Sequence, residues 1–239
     1  MTRQGRPLEI LSVGEAIIDF LPGSRGRLRD VDHFHKIVGG APANVALGLA
    51  HLGRRVGLMG RIGDDEFGAF LRQELEAAGA DTATLQATAE APTGFTFVSL
   101  SEDGERSFTS PMTTTADQTL RVEGLDLGPL ERAQIVHVGS NQMVTPAQLE
   151  ATTQIMRRAR QLDRFITFDP NVRLHLWEDP SRARPTVLEA MSHVDLVKLN
   201  DEEIVYLGQG VSAQALYEEL LAPAGVAALD VTRRVGAGS

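Results

Sequence analysis

Four short segments of this chain carry side chains whose types and spacing suit chemistry on a hydroxylated small molecule. Asp19 closes the apolar run Gly14-Glu15-Ala16-Ile17-Ile18-Asp19-Phe20, so its carboxylate would emerge at a strand end, where open α/β sheets bind ligands. A charged acceptor there suits a polyol, and a solvated turn aspartate is the structural alternative. Gly39-Gly40 lead into Ala41-Pro42-Ala43-Asn44; the two glycines permit close backbone approach, and an asparagine falls in the first turn of an otherwise apolar helix. Asparagine is a poor helix residue and its amide is costly to bury unpaired. A ligand hydroxyl would account for Asn44, and so would a backbone partner.

The other two segments lie in the second half. Asp169-Pro170-Asn171-Val172-Arg173 follows the apolar run Phe165–Phe168 and sets a carboxylate, an amide and a guanidinium at a strand end. Arg173 would hold a substrate oxygen or phosphate in bidentate fashion, although Asx-Pro pairs also simply form turns. In Lys198-Leu199-Asn200-Asp201-Glu202-Glu203, Asn200 and Glu203 are three apart at a strand-to-helix junction, where amide and carboxylate would hold a hydrated Mg²⁺ and nucleotide phosphates. The same spacing is that of a helix-capping pair.

Other combinations point away from chemistry. The acids of Gly60-Arg61-Ile62-Gly63-Asp64-Asp65-Glu66-Phe67-Gly68 would repel a polyanion, so the glycines there suit packing and turns. Of the six histidines, only His33 and His35 share a strand face, and two ligands without a third make a poor metal site. Gly-x-Ser-x-Gly is absent. A net charge of −9 argues against a nucleic-acid surface, so any phosphate site must be local. No apolar run is long enough to span a membrane. Glu15 and Asp19 interrupt the first apolar stretch, which does not suit a signal peptide, and the absence of cysteine fits a reducing cytoplasm.

The elements that must position these residues follow from the alternation of Val/Ile/Phe-rich runs with Ala/Leu-rich stretches, which predicts an α/β fold with a mostly parallel sheet and crossover helices. Expected strands are Ile10–Phe20, Phe34–Val38, Val56–Arg61, Phe95–Leu100, Ile135–Val138, Phe165–Phe168, Val194–Leu199 and Val226–Val231. Helices are expected from near Pro42 to Gly53, from about Asp65 to Gly79, and from a Thr145/Gln148 capping box. Thr93–Leu100 and Arg106–Ser110 flank Glu102-Asp103-Gly104 and read as a hairpin standing off the main sheet.

In this order the segments resemble the PfkB, or ribokinase-like, carbohydrate kinases, and the Asp19 and Asp169–Arg173 segments, with Trp177, look most like those of fructokinases. The resemblance runs from about Ile10 to the end of the chain. It implies a single ribokinase-like domain over 1–239, a central mostly parallel sheet flanked by helices, and a small β lid drawn from about 10–38 and 93–110. It implies ATP-dependent phosphorylation of a sugar, fructose above all, in the cytoplasm, with ATP and Mg²⁺ as cofactors. Asp19, Gly39, Gly40, Asn44, Phe95 and Arg173 would then bind sugar. Asn200, Glu203 and Thr232 would bind nucleotide, with Glu203 organising the metal. Lids of this family can pair between subunits, which implies a homodimer.

The match departs from the family at Val231-Thr232-Arg233-Arg234-Val235-Gly236-Ala237-Gly238-Ser239. The family's proton acceptor is an aspartate in Gly-Ala-Gly-Asp. If Gly236–Gly238 is that segment, Ser239 replaces the base; if Val231-Thr232-Arg233 is the upstream nucleotide-contacting segment, the base and anion hole are not among these residues. The second alignment keeps the right distance from Val226, although Arg234 replaces an expected glycine. Either alignment leads to the expectation of impaired catalysis, with a non-catalytic sugar-binding remnant, or a kinase for 2-keto-3-deoxygluconate or a nucleoside, as alternatives.

Overall fold

The computed structural model describes residues 7–100, 106–112 and 114–232. The Glu102-Asp103-Gly104 turn and the segment from Arg233 to Ser239 lie outside the described residues. Strands are β1 (Ile10–Val13), β2 (Ile17–Pro22), β3 (Phe34–Gly39), β4 (Val56–Gly63), β5 (Leu85–Thr88), β6 (Phe95–Leu100), β7 (Arg106–Thr109), β8 (Ile135–Gly139), β9 (Phe165–Asp169), β10 (Leu196–Asn200) and β11 (Ala228–Thr232). Helices are α1 (Ala41–His51), α2 (Glu66–Ala78), α3 (Gly128–Arg132), α4 (Pro146–Gln161), α5 (Ala183–Met191), α6 (Asp201–Gly208) and α7 (Ala213–Leu216). A seven-stranded, mostly parallel sheet has the order β11-β10-β9-β8-β1-β4-β5, and a second sheet has the order β3-β2-β6-β7. Among the described residues, no helix is long and apolar enough to cross a membrane.

The chain falls into two compact units. The first, Ser12–Leu120, holds β4 and β5, the four-stranded sheet, α1 and α2. Its helices form where local chemistry satisfies their ends. Asp65 caps α2 by accepting from Gly68 N–H, and Gly79 ends it at φ 102°, which a residue with a side chain rarely adopts. Leu71 and Leu75, one turn apart, are fully buried, worth about 1.5–3 kcal/mol each. In the four-stranded sheet β2 pairs antiparallel with β3 and parallel with β6, and β6 pairs antiparallel with β7, so the expected hairpin strands do stand off the large sheet.

The second unit, Pro7–Leu11 with Arg121 onward, holds β8 to β11, which are parallel to one another, and α3 to α7. The Thr145/Gln148 capping box forms in both directions and starts α4. That helix buries Ala151, Thr152, Ile155, Met156 and Ala159, the 3–4 spacing of a single face.

The expected strand Ile10–Phe20 is corrected by the structure. It divides into β1 and β2, which belong to different sheets, and Gly14 makes the break at φ 147° while donating its N–H to the Met59 carbonyl at 2.9 Å. A Cβ at Gly60, on β4, would run into the Gly14 carbonyl, so glycine at position 60 allows this close approach. Strand β5 is an addition: its four residues, Leu-Gln-Ala-Thr, carry no apolar run that would announce it.

Candidate functional site

In the first unit, four of the residues expected to hold sugar, Asp19, Gly39, Gly40 and Asn44, lie at or beside the start of α1. Asp19 and Ile37 are register partners on β2 and β3, and Gly39 lies opposite Ile17. The Asp19 side chain reaches back along this ladder until a Cβ at residue 39 would collide with its carboxyl. Gly39 is buried, and the room left by its missing side chain is taken by that carboxylate. Gly40, the residue capping α1, has φ 92° and no side chain with which to cap, and a Cβ there would press on the Glu15 carbonyl. The missing cap is supplied from 26 positions away, since Glu15, 6% exposed, accepts the Ala41 N–H at 3.2 Å.

Asn44 stands in the first turn of α1, its N–H bonded to the Gly40 carbonyl at 2.9 Å. It is exposed. Pro42, Ala43 and Ala46 form the buried face of α1 and Asn44 lies off it, so its amide needs no buried partner. Phe95 opens β6 and packs its ring 5.7 Å from Phe20 and from Phe97, and 6.2 Å from Phe67. Phe34 extends this apolar group through Phe97. Phe95 thus sits one register step from Asp19, opposite Ile18.

The second unit sets its polar residues at the carboxyl ends of parallel strands, where ligands of open α/β sheets bind. Asp169 ends β9, Asn200 ends β10 and Thr232 ends β11, with Asn200 and Thr232 in register. Glu203 is 5% exposed and engaged at both oxygens: one accepts Asn200 N–H and the other accepts Val172 N–H, both at 2.9 Å. Asn200 in turn accepts Glu203 N–H at 2.9 Å. The capping alternative is therefore realised, and it also ties the Asp169–Arg173 loop to α6. Arg173, next to Val172, is exposed, and its guanidinium donates to the Val172 carbonyl at 3.3 Å. Lys198 donates to Asp169 at 2.7 Å, while the other Asp169 oxygen is buried without a hydrogen bond. Near them His137 shares a 2.9 Å hydrogen bond with Thr167; burial holds its pKa below the ordinary value, with Asp169 opposing and Lys198 adding to the shift.

The structure therefore gathers Asp19, Gly39, Gly40, Asn44 and Phe95 in the first unit, and Arg173, Asn200, Glu203 and Thr232 in the second. Two residues were missed as positioning groups. Glu15 could have been found from a helix whose Gly-Gly start cannot cap itself. Asp65 accepts from Gly68 N–H, Thr93 N–H and the Thr93 hydroxyl, at 2.7–2.8 Å. Burial pushes its pKa up, but those hydrogen bonds outweigh burial and hold it below the usual carboxylate value. A depression of about 400 Å³ beside α2 is lined by Asp64, Asp65, Arg72, Gln73 and Glu76. Its Arg72 is committed to the Thr82 carbonyl at 3.0 Å and its Asp65 to Thr93, so it is built for packing rather than for a ligand. Among the described residues no group of three or more His, Asp or Glu side chains could hold a metal ion.

Comparison with known proteins bears on the family and the fold. Residues 8–227 match the family described as pfkB family carbohydrate kinase. Fructokinase-2 of Zea mays is 37% identical over 202 residues, covering 84% of this chain and 60% of the relative. The fructokinase of Vibrio alginolyticus is 35% identical over 211 residues, covering 88% of this chain and 66% of the relative. The chain thus spans about three fifths of the length of the curated relatives it matches. The crystal structure of fructokinase from Xylella fastidiosa superimposes with a TM-score of 0.84 at 35% identity, covering 95% of this chain and 73% of that one. A second structure of the same fructokinase, with bound ATP, gives 0.83 at 35% identity over 96% and 73%.

Proposed function

This chain belongs to the pfkB family of carbohydrate kinases, and from that premise we propose that it serves the ATP-dependent phosphorylation of fructose. The observation that carries the proposal is the pairing of the Asp19 carboxyl with the bare Gly39 backbone at the start of α1. A carboxylate is an acceptor for sugar hydroxyls, and the lack of a Cβ at Gly39 lets the Asp19 carboxyl sit against the start of α1. Asn44, exposed in the first turn of α1, adds an amide that both donates and accepts. Phe95, in register with Ile18 and packed on Phe20, belongs to the other face of the sheet from Asp19, so it would support the site from behind rather than touch the sugar.

Phosphoryl transfer asks a protein chiefly to position reactants and neutralise charge. Asp19, Gly39, Gly40 and Asn44 would hold and orient the accepting hydroxyl. At the strand ends of the second unit, Arg173 would supply charge toward phosphate, and Asn200 and Thr232 would contact nucleotide. Mg²⁺ would neutralise phosphate charge. Both oxygens of Glu203 already accept a backbone N–H, leaving each a second lone pair. They fit a hydrated ion held through its water better than direct ligation. We place the protein in the cytoplasm, as a homodimer formed through the four-stranded sheet.

Titration calorimetry with fructose, without and with MgATP, tests this reading. Saturable fructose uptake by the protein is the expected result, and a coupled assay with fructose and MgATP then measures transfer. Absence of fructose uptake, with 2-keto-3-deoxygluconate or a nucleoside bound instead, would overturn the choice of sugar.

A further inference from the structure

We propose that Glu15 is a positioning residue of the sugar site: its carboxylate is the N-cap that Gly40 cannot be, and it holds the Gly39-Gly40 turn and the first turn of α1 in binding geometry. The inference rests on the sugar reading of that turn and adds a residue to it.

An α-helix leaves its first N–H groups without partners, and a Ser, Thr, Asp or Asn at the cap ordinarily accepts one. Here the capping position must be glycine on two counts. Its φ is 92°, and a Cβ would press on the Glu15 carbonyl. A turn that needs glycine cannot provide its own cap, and Pro42, which carries no N–H, removes only one of the orphan donors. The acceptor comes instead from Glu15, between β1 and β2, whose carboxylate meets Ala41 N–H at 3.2 Å. A buried carboxylate is costly unless hydrogen-bonded, and Glu15 is 6% exposed. The same segment is held on its other side by Ser12, whose hydroxyl donates to the Pro42 carbonyl at 2.8 Å. Residues 12–15 therefore clasp residues 40–42 from the strand just before Asp19. Through this clasp the carboxylate of Asp19 and the backbone of Gly39 keep a fixed separation.

The experiment uses the whole chain with Glu15→Ala and Glu15→Gln, thermal melting, fructose calorimetry and amide hydrogen exchange at Ala41. Loss of one hydrogen bond to a charged group corresponds to roughly a tenfold effect or more. We therefore expect folded E15A to bind fructose about tenfold more weakly and to exchange its Ala41 amide about tenfold faster. E15Q, which keeps an acceptor oxygen, should restore both to within about threefold. A purely structural role would lower the melting temperature of E15A and leave the affinity of its folded fraction unchanged, which would overturn the proposal. Unchanged Ala41 exchange in E15A would overturn it as well. Wild-type protein that fails to bind fructose sinks the sugar reading, while the Ala41 exchange still decides whether Glu15 is the cap.

Discussion

The Asp19 carboxyl and a side chain at position 39 would occupy the same space, so substitutions at these two positions have different signatures. Gly39→Ala forces the carboxyl aside, and overpacking of this kind costs about 1–3 kcal/mol. We expect a lower melting temperature together with weakened fructose binding. Asp19→Asn keeps the volume, so it avoids the overpacking, but removes the charge; hydrogen bonds to charged groups are worth about 1.5–3 kcal/mol, so fructose affinity should fall roughly tenfold to a hundredfold in calorimetry. His137 gives a prediction in pH. Its folded pKa lies below the ordinary 6.5 because of burial, so the unfolded chain takes up the proton first as pH falls. Stability is then fully present above about 6.5 and declines as pH drops below that value toward the depressed folded pKa. Melting curves from pH 8 to 5 should show that decline, and His137→Gln should reduce it.

Single side chains here also join whole elements. Asp65 caps α2 and at the same time holds Thr93, two residues before β6, by N–H and hydroxyl. Asp65→Ala removes a cap and two further bonds, so a loss of about 2–4 kcal/mol is expected in chemical denaturation. Because its folded pKa is depressed, the stabilisation is present above the ordinary 3.8 and is lost as pH falls below it, a slope that the alanine variant should lack. What could be read in the sequence at this scale was whatever is settled within a few residues. The Thr145/Gln148 box, the glycine stop at Gly79 and the Asn200/Glu203 spacing all announce themselves because their partners are close in sequence. The break between β1 and β2 is hidden because apolar residues resume at Ala16 directly after Gly14 and Glu15, and the close approach of Gly14 to Gly60 comes from a strand more than forty residues away. Likewise the bonds from Glu15 to Ala41 and from Asp65 to Thr93 span 26 and 28 positions, and no local pattern encodes such pairings. Asn44 was placed correctly on its helix, but which face of α1 meets the core depended on packing that the short Ala-rich stretch does not specify.

For the molecule as a whole, net charge separates the proposed sugar from charged competitors. The chain carries −9 formal charges, and such a field repels anions at long range while leaving a neutral sugar untouched. A ligand that binds only the folded state stabilises it by about 2.7 kcal/mol at 100 times its dissociation constant. In chains of about 150–250 residues each kcal/mol moves the melting temperature by about 2–4 °C, so saturating fructose should raise it by about 5–10 °C. Between 10 mM and 150 mM salt the screening length shrinks from about 30 Å to about 8 Å. The fructose shift should not change over that range, because neither its long-range approach nor its hydrogen bonds involve ligand charge. A sugar acid such as gluconate should give little shift at low salt, and any shift it gives should depend on salt. Equal, salt-dependent shifts from the two ligands would mean that the acidic turn at Asp19 and Gly39 does not select an uncharged polyol.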